Sequence, residues 1–63
     1  MRSVMTEEKA AIAKYLVFKK LLFQHQAAAL LGVNQGRVNE VIRGKRYPDV
    51  PIPPVDQVPP ELR

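Results

Sequence analysis

Apolar residues recur at helical spacing as far as Tyr47, and beyond it that rhythm gives way to prolines. Residues 7 to about 22 contain neither glycine nor proline. Thr6 followed by Glu7 and Glu8 places an N-cap and two acidic residues where they complement the helix dipole. This predicts the first and longest helix. Its apolar residues cover more than one face: Ile12, Leu16 and Phe23 run along one side, while Tyr15, Val17, Phe18, Leu21 and Leu22 spread over another. A helix that is apolar on more than one face is usually buried on more than one face. In so short a chain the second face requires a partner subunit or the C-terminal tail. The start, 1–5, is expected to be frayed.

In the stretch 24–43, Ala27 and Leu31 are four residues apart, as are Gln24 and Ala28, which predicts a short second helix over 24–31. Gly32 ends it, since the residue just past a helix commonly takes the left-handed conformation that only glycine adopts without a Cβ penalty. Val33 sits in the turn, Asn34 is placed to cap a new helix, and that helix starts at about Gln35. Val38, Val41 and Ile42 repeat at three and four residues and point inward, leaving Gln35, Arg37, Asn39 and Glu40 on other sides. Gly44 closes this third helix, and Lys45 and Arg46 follow at once. Ala27 and Ala28 are small enough for two helices to cross closely over a short turn; a bulky residue at Ala28 is expected to break the crossing.

These features resemble the helix-turn-helix of the Cro and phage-repressor family. The family pattern asks for alanine at its fifth position, glycine at its ninth, and apolar residues at its fourth, eighth, tenth, fifteenth and eighteenth. Ala28, Gly32, Ala27, Leu31, Val33, Val38 and Val41 fill them without a gap. The match covers 20 residues, 24–43, of the 63. The resemblance implies that Gln24 contacts a DNA phosphate and braces a partner glutamine, and that Gln35 reads a base. It also implies that Gly36, Arg37 and Asn39 face the groove, and that Lys45 and Arg46 hold the DNA backbone. Two departures stand out. Leu21, Leu22 and Phe23 replace the glycine and Ser or Thr cap usual before the opening glutamine, and prolines replace the two further helices. The resemblance also requires a bend within 21–23, which nothing local demands; one continuous helix over 6–31 is the structural rival.

The residue types fit groove reading. An amide such as Gln35 can donate and accept at once against adenine in the major groove, while Arg37 can grip guanine or a phosphate; Asn39 can do either. Glu40 is expected to pair with a neighbouring arginine. Gly36 in the first helical turn costs ~1 kcal/mol relative to alanine, either because a bare backbone seats deeply against the bases or because glycine there is merely tolerated. Together with Asn34 and Arg43, the expected DNA-binding set is Gln24, Asn34, Gln35, Gly36, Arg37, Asn39, Arg43, Lys45 and Arg46.

Charge agrees with that partner: the formal net charge is +4 and the pI near 9.9, which favours a polyanion over an acidic substrate pocket. Lys9, Lys14, Lys19 and Lys20 fall on no single stripe and read as mainly solvated, with Lys19 and Lys20 nearest the central unit. Enzyme chemistry is poorly supplied, since His25 is the only histidine, Ser3 the only serine and Thr6 the only threonine. His25 reads as an exposed surface residue. There is no cysteine, no metal-spaced carboxylate cluster and no glycine-rich phosphate loop, so no catalytic residue, metal or cofactor is assigned. No apolar run approaches the ~20 residues of a membrane span and no signal-type core follows the start, so a soluble, cytoplasmic protein is expected.

All six prolines lie between Pro48 and Pro60, interleaved with Val50, Ile52, Val55 and Val58. Such a segment favours extended polyproline II and reads as a tail, 48–63. It is either a flexible terminus or an apolar strip that covers the helices, a dimer mate or another protein. The expected fold is therefore all-α, a small three-helix helix-turn-helix domain over 6–47 with a proline-rich extended tail. The expected function is that of a Cro-like transcriptional regulator, a repressor or activator that binds double-stranded operator DNA as a homodimer. The alternative is a protein-interaction module, an antitoxin or antiactivator, that meets a protein partner through the apolar excess of the first helix or through the tail.

Overall fold

The computed structural model describes residues 4–63. Thr6 opens the first helix as expected: its side chain accepts from the Lys9 N–H at 3.2 Å, with Glu7 and Glu8 in the first turn. This helix, α1, spans Glu7–Phe18; α2 spans Gln24–Leu31 and α3 spans Gln35–Ile42. The chain is all-helical, and among the described residues it has three α-helices, two single 3-10 turns and no strand. No helix among them is long and apolar enough to cross a membrane. Each α-helix packs on the other two, around a core of Ala10, Ala13, Leu16, Ala27, Ala28, Val33, Val38 and Val41. The alanines at the α1–α2 and α2–α3 contacts permit close backbone approach, and Ala27 and Ala28 are both buried.

The first helix is shorter than its composition predicts. It stops at Phe18, four residues before the expected end near Leu22, and the continuous helix over 6–31 is not formed. The stop uses no glycine. The N–H groups of Lys19 and Lys20 donate to the Tyr15 carbonyl and that of Leu22 donates to Leu16, while Leu21 takes φ +58°. A left-handed leucine costs about 1–2 kcal/mol, so the bend is imposed by packing. The Leu22 side chain is drawn against the core while Leu21 is left 81% exposed. Gly32 makes the second turn at φ +68°, donating to the Ala28 and Ala29 carbonyls.

Residues 48–63 do not project. Sixteen residues of polyproline II would reach about 50 Å, yet the longest dimension of the molecule is 26 Å and its radius of gyration 10.3 Å, close to the ~10.5 Å of a compact chain of this length. Two 3-10 turns, Val55–Gln57 and Pro60–Leu62, fold the segment back. Val58 is then fully buried, and Leu62 packs on the core. Pro53, Gln57 and Pro59 line a groove with Glu8, Ala11 and Ile12, so this segment meets one face of α1.

Two lysines hold it there, against the expectation that they are solvated charges. Lys14 is buried, with 8% of its surface exposed, and its Nζ donates to the carbonyls of Tyr47 at 3.0 Å and Val50 at 2.5 Å. Lys20 Nζ donates to the carbonyls of Leu62 and Arg63. Tyr47 is the hinge, at φ +53°, with its hydroxyl donating to the Met5 carbonyl at 3.4 Å. Of the expected frayed start, 1–3 lie outside the described residues, and Met5 is buried against the core.

Candidate nucleic-acid interface

Burial of Val38 and Val41 fixes how α3 is rolled, because residues three apart share one helical face. Gln35, Gly36, Arg37 and Arg43 are consequently exposed, and Asn39 and Glu40 lie at the margin. The start of α3 is secured by Asn34, whose Oδ1 accepts from the Gly36 N–H at 2.7 Å. Asn34, expected to contact DNA, has one of its acceptor sites taken by this cap. A Cβ on Gly36 would lie 3.2 Å from that same oxygen, so the bare backbone at Gly36 has a local cause in the cap itself.

Two clusters join the other predicted residues. Asn39 Nδ2 donates to Gln24 Oε1 at 3.0 Å, tying the first residue of α2 to the middle of α3. The brace that the family resemblance implied for Gln24 with a partner glutamine is made here with Asn39. On the far side of α3, Arg37 and Arg46 donate to one oxygen, Glu40 Oε1, at 2.6 and 3.0 Å. These hydrogen bonds, Arg37 first and Arg46 second, hold the Glu40 carboxyl below its ordinary value. Among the described residues no side-chain hydrogen bond engages Gln35, Arg43 or Lys45, all three exposed.

The backbone supports this arrangement. Lys45 and Arg46 N–H groups donate to the Glu40 carbonyl at 2.9 and 3.3 Å, and Gly44 at φ +77° lets the chain fold back to make those bonds. An Arg37–Glu40 pair is legible from i,i+3 spacing, as expected for Glu40. The Arg46 limb depends on the turn at Gly44 and has no spacing signal.

At the other end of α3, an open groove of about 310 Å³ is lined by His25, Ala28, Ala29, Gly32, Val33 and Gln35. It exists because the residues beneath it are small. His25 is exposed as expected and stacks on Phe23, with ring centroids 5.7 Å apart. No protein-family model matches the chain, and no curated protein or solved structure matches it either.

Proposed function

We propose that the chain is a sequence-specific DNA-binding regulator of the Cro and phage-repressor kind, in which α2, the turn at Gly32 and α3 act as a helix-turn-helix and 48–63 as a proline-rich tail folded on α1. The observation that carries this reading is the roll of α3. Val38 and Val41 face the core while an amide, Gln35, and three arginines, Arg37, Arg43 and Arg46, stand at the surface beside Lys45. Gln35 supplies base readout and Arg37 supports it, while Gln24, Arg43, Lys45 and Arg46 hold phosphates that set register and give salt-dependent affinity. Asn39 braces Gln24 at the groove margin. One such helix touches too few bases to select a site, so the protein acts as a dimer on half-sites about 34–36 Å apart.

The test is selection of bound sequences from a random duplex pool, run in parallel with Gln35→Ala. The expected result is an enriched palindrome in which the variant loses one base preference. Absence of enrichment for the unaltered chain would overturn the reading.

A second reading rests on the connection between α1 and α2. Leu21 is 81% and Phe23 69% exposed, next to half-exposed Phe18, an apolar surface suited to a protein partner. On that reading Phe18→Ser and Leu21→Ser abolish the biological effect while alanine at Gln35, Arg37 and Asn39 leaves it intact.

A further inference from the structure

Glu40 is the single carboxylate in the sequence between Glu8 and Asp49. It stands in the middle of the basic surface that the proposed function assigns to DNA, where an acid would ordinarily repel the partner. Its position among the arginines is specific. Arg37 approaches from within α3 and Arg46 from beyond the turn at Gly44, and both guanidinium groups converge on the same oxygen. One anionic oxygen shared between two guanidinium groups is also how a phosphodiester oxygen is gripped.

All three side chains face solvent, at 49% exposure for Arg37, 35% for Glu40 and 43% for Arg46. A backbone phosphate can therefore reach the cluster, and a pair so exposed is held weakly enough to be exchanged. Arg46 and Glu40 are also anchored through the backbone, because the Lys45 and Arg46 amides donate to the Glu40 carbonyl. Displacing the carboxylate thus leaves the two arginines in place to receive another anion.

We infer that Glu40 occupies the seat of a DNA phosphate: its carboxylate gathers Arg37 and Arg46 into a two-arginine anion site and must be displaced by a phosphodiester of the duplex when the protein binds. This rests on the DNA-binding reading above. Random DNA must displace the carboxylate using phosphate contacts alone, whereas an operator adds base contacts from Gln35. Glu40 therefore lowers affinity for random duplex and sharpens selection.

The measurement is binding of the full chain to a random-sequence duplex across roughly 50 to 200 mM salt, for the unaltered protein, Glu40→Gln, Arg37→Ala/Arg46→Ala and the triple variant. Glutamine keeps the size of the side chain and leaves the Glu40 carbonyl contacts intact, and circular dichroism checks that each variant is folded. Glu40→Gln is expected to bind about 3- to 10-fold tighter at the low-salt end, with the slope of log K against log salt steeper by about 0.9 for each additional phosphate neutralised. That tighter binding is expected to vanish when both arginines are absent.

Unchanged binding by Glu40→Gln, beside clear binding by the unaltered protein, overturns the inference and leaves the DNA reading standing. Tighter binding that persists without the arginines also overturns it, because removal of one negative charge then accounts for the effect. If neither the unaltered protein nor Glu40→Gln binds duplex, the DNA reading falls and the inference with it. In a second measurement, the Arg46 Nε–H resonance moves in the same sense on Glu40→Gln and on addition of duplex to the unaltered chain. A shift produced equally by inorganic phosphate at matched ionic strength would make the cluster a free-anion site and overturn the assignment to the DNA backbone.

Discussion

At the start of α3 two neighbouring residues compete for one small volume. Asn34 caps the helix through the Gly36 N–H, and a methyl group on Gly36 would lie 3.2 Å from the capping oxygen. Asn34→Ala is expected to cost about 1 kcal/mol. Gly36→Ala, which at an open helical position gains up to ~1 kcal/mol, is expected to gain that only in the Asn34→Ala background and less where the cap is present. A double-mutant cycle by urea denaturation reads the coupling; strict additivity would show that the cap and the glycine are independent.

Glu40 yields a second residue-scale prediction. Its folded-state pKa is lowered from 4.5 by the bonds from Arg37 and Arg46. Whatever these pairs add to stability is therefore fully present above about pH 4.5 and is lost as pH falls through the lowered folded-state value. Urea midpoints followed from neutral to acid pH should fall less steeply below that point in Glu40→Gln than in the unaltered protein.

At the scale of elements, the two turns that set the helices against each other are made by opposite means. Gly32 takes φ +68° without a Cβ, whereas Leu21 takes φ +58° with its side chain largely in solvent. Gly32→Ala is expected to destabilise by about 1–2 kcal/mol, the cost of a left-handed non-glycine residue. Leu21→Asn is expected to stabilise by a few tenths of a kcal/mol to about 1, since asparagine accepts that backbone more readily and little apolar burial is lost. Thermal melts of the two variants should shift in opposite directions. A loss of stability in Leu21→Asn would mean that the leucine side chain matters to the turn.

Viewed as a whole, the molecule is closed by Lys14. An ammonium group nearly out of solvent donates to carbonyls 33 and 36 residues away, at the point where the chain leaves the helices. This limb covers one face of α1 that composition alone left without a partner, while Phe18, Leu21 and Phe23 stay uncovered at its end. Lys14→Met keeps the buried stem but leaves both carbonyls without their donor, which is expected to cost about 1.5–3 kcal/mol and to release 48–63. Amide exchange at Val58, whose N–H donates to Val55 at 3.1 Å, should then accelerate more than exchange at Val38. Equal acceleration at the two would show instead that the tail and helices unfold as one unit.

Much of this architecture is written in short-range pattern. The Thr6 cap, the bounds of α2 and α3, the turn at Gly32, the Asn34 cap, the inward valines and the Arg37–Glu40 pair all depend on residues within about four positions of each other. Helical periodicity and capping chemistry operate over that distance. What sequence spacing left open was decided over longer separations. The end of α1 was set by where Leu22 could pack, at the expense of Leu21. The burial of Lys14 came from carbonyls brought back by the tail, and the second arginine on Glu40 from a chain reversal at Gly44. Local patterns specify which residues can form a helix, cap or turn; which of those helices stop, and which charges are taken out of water, depends on contacts that exist only once the chain has closed on itself.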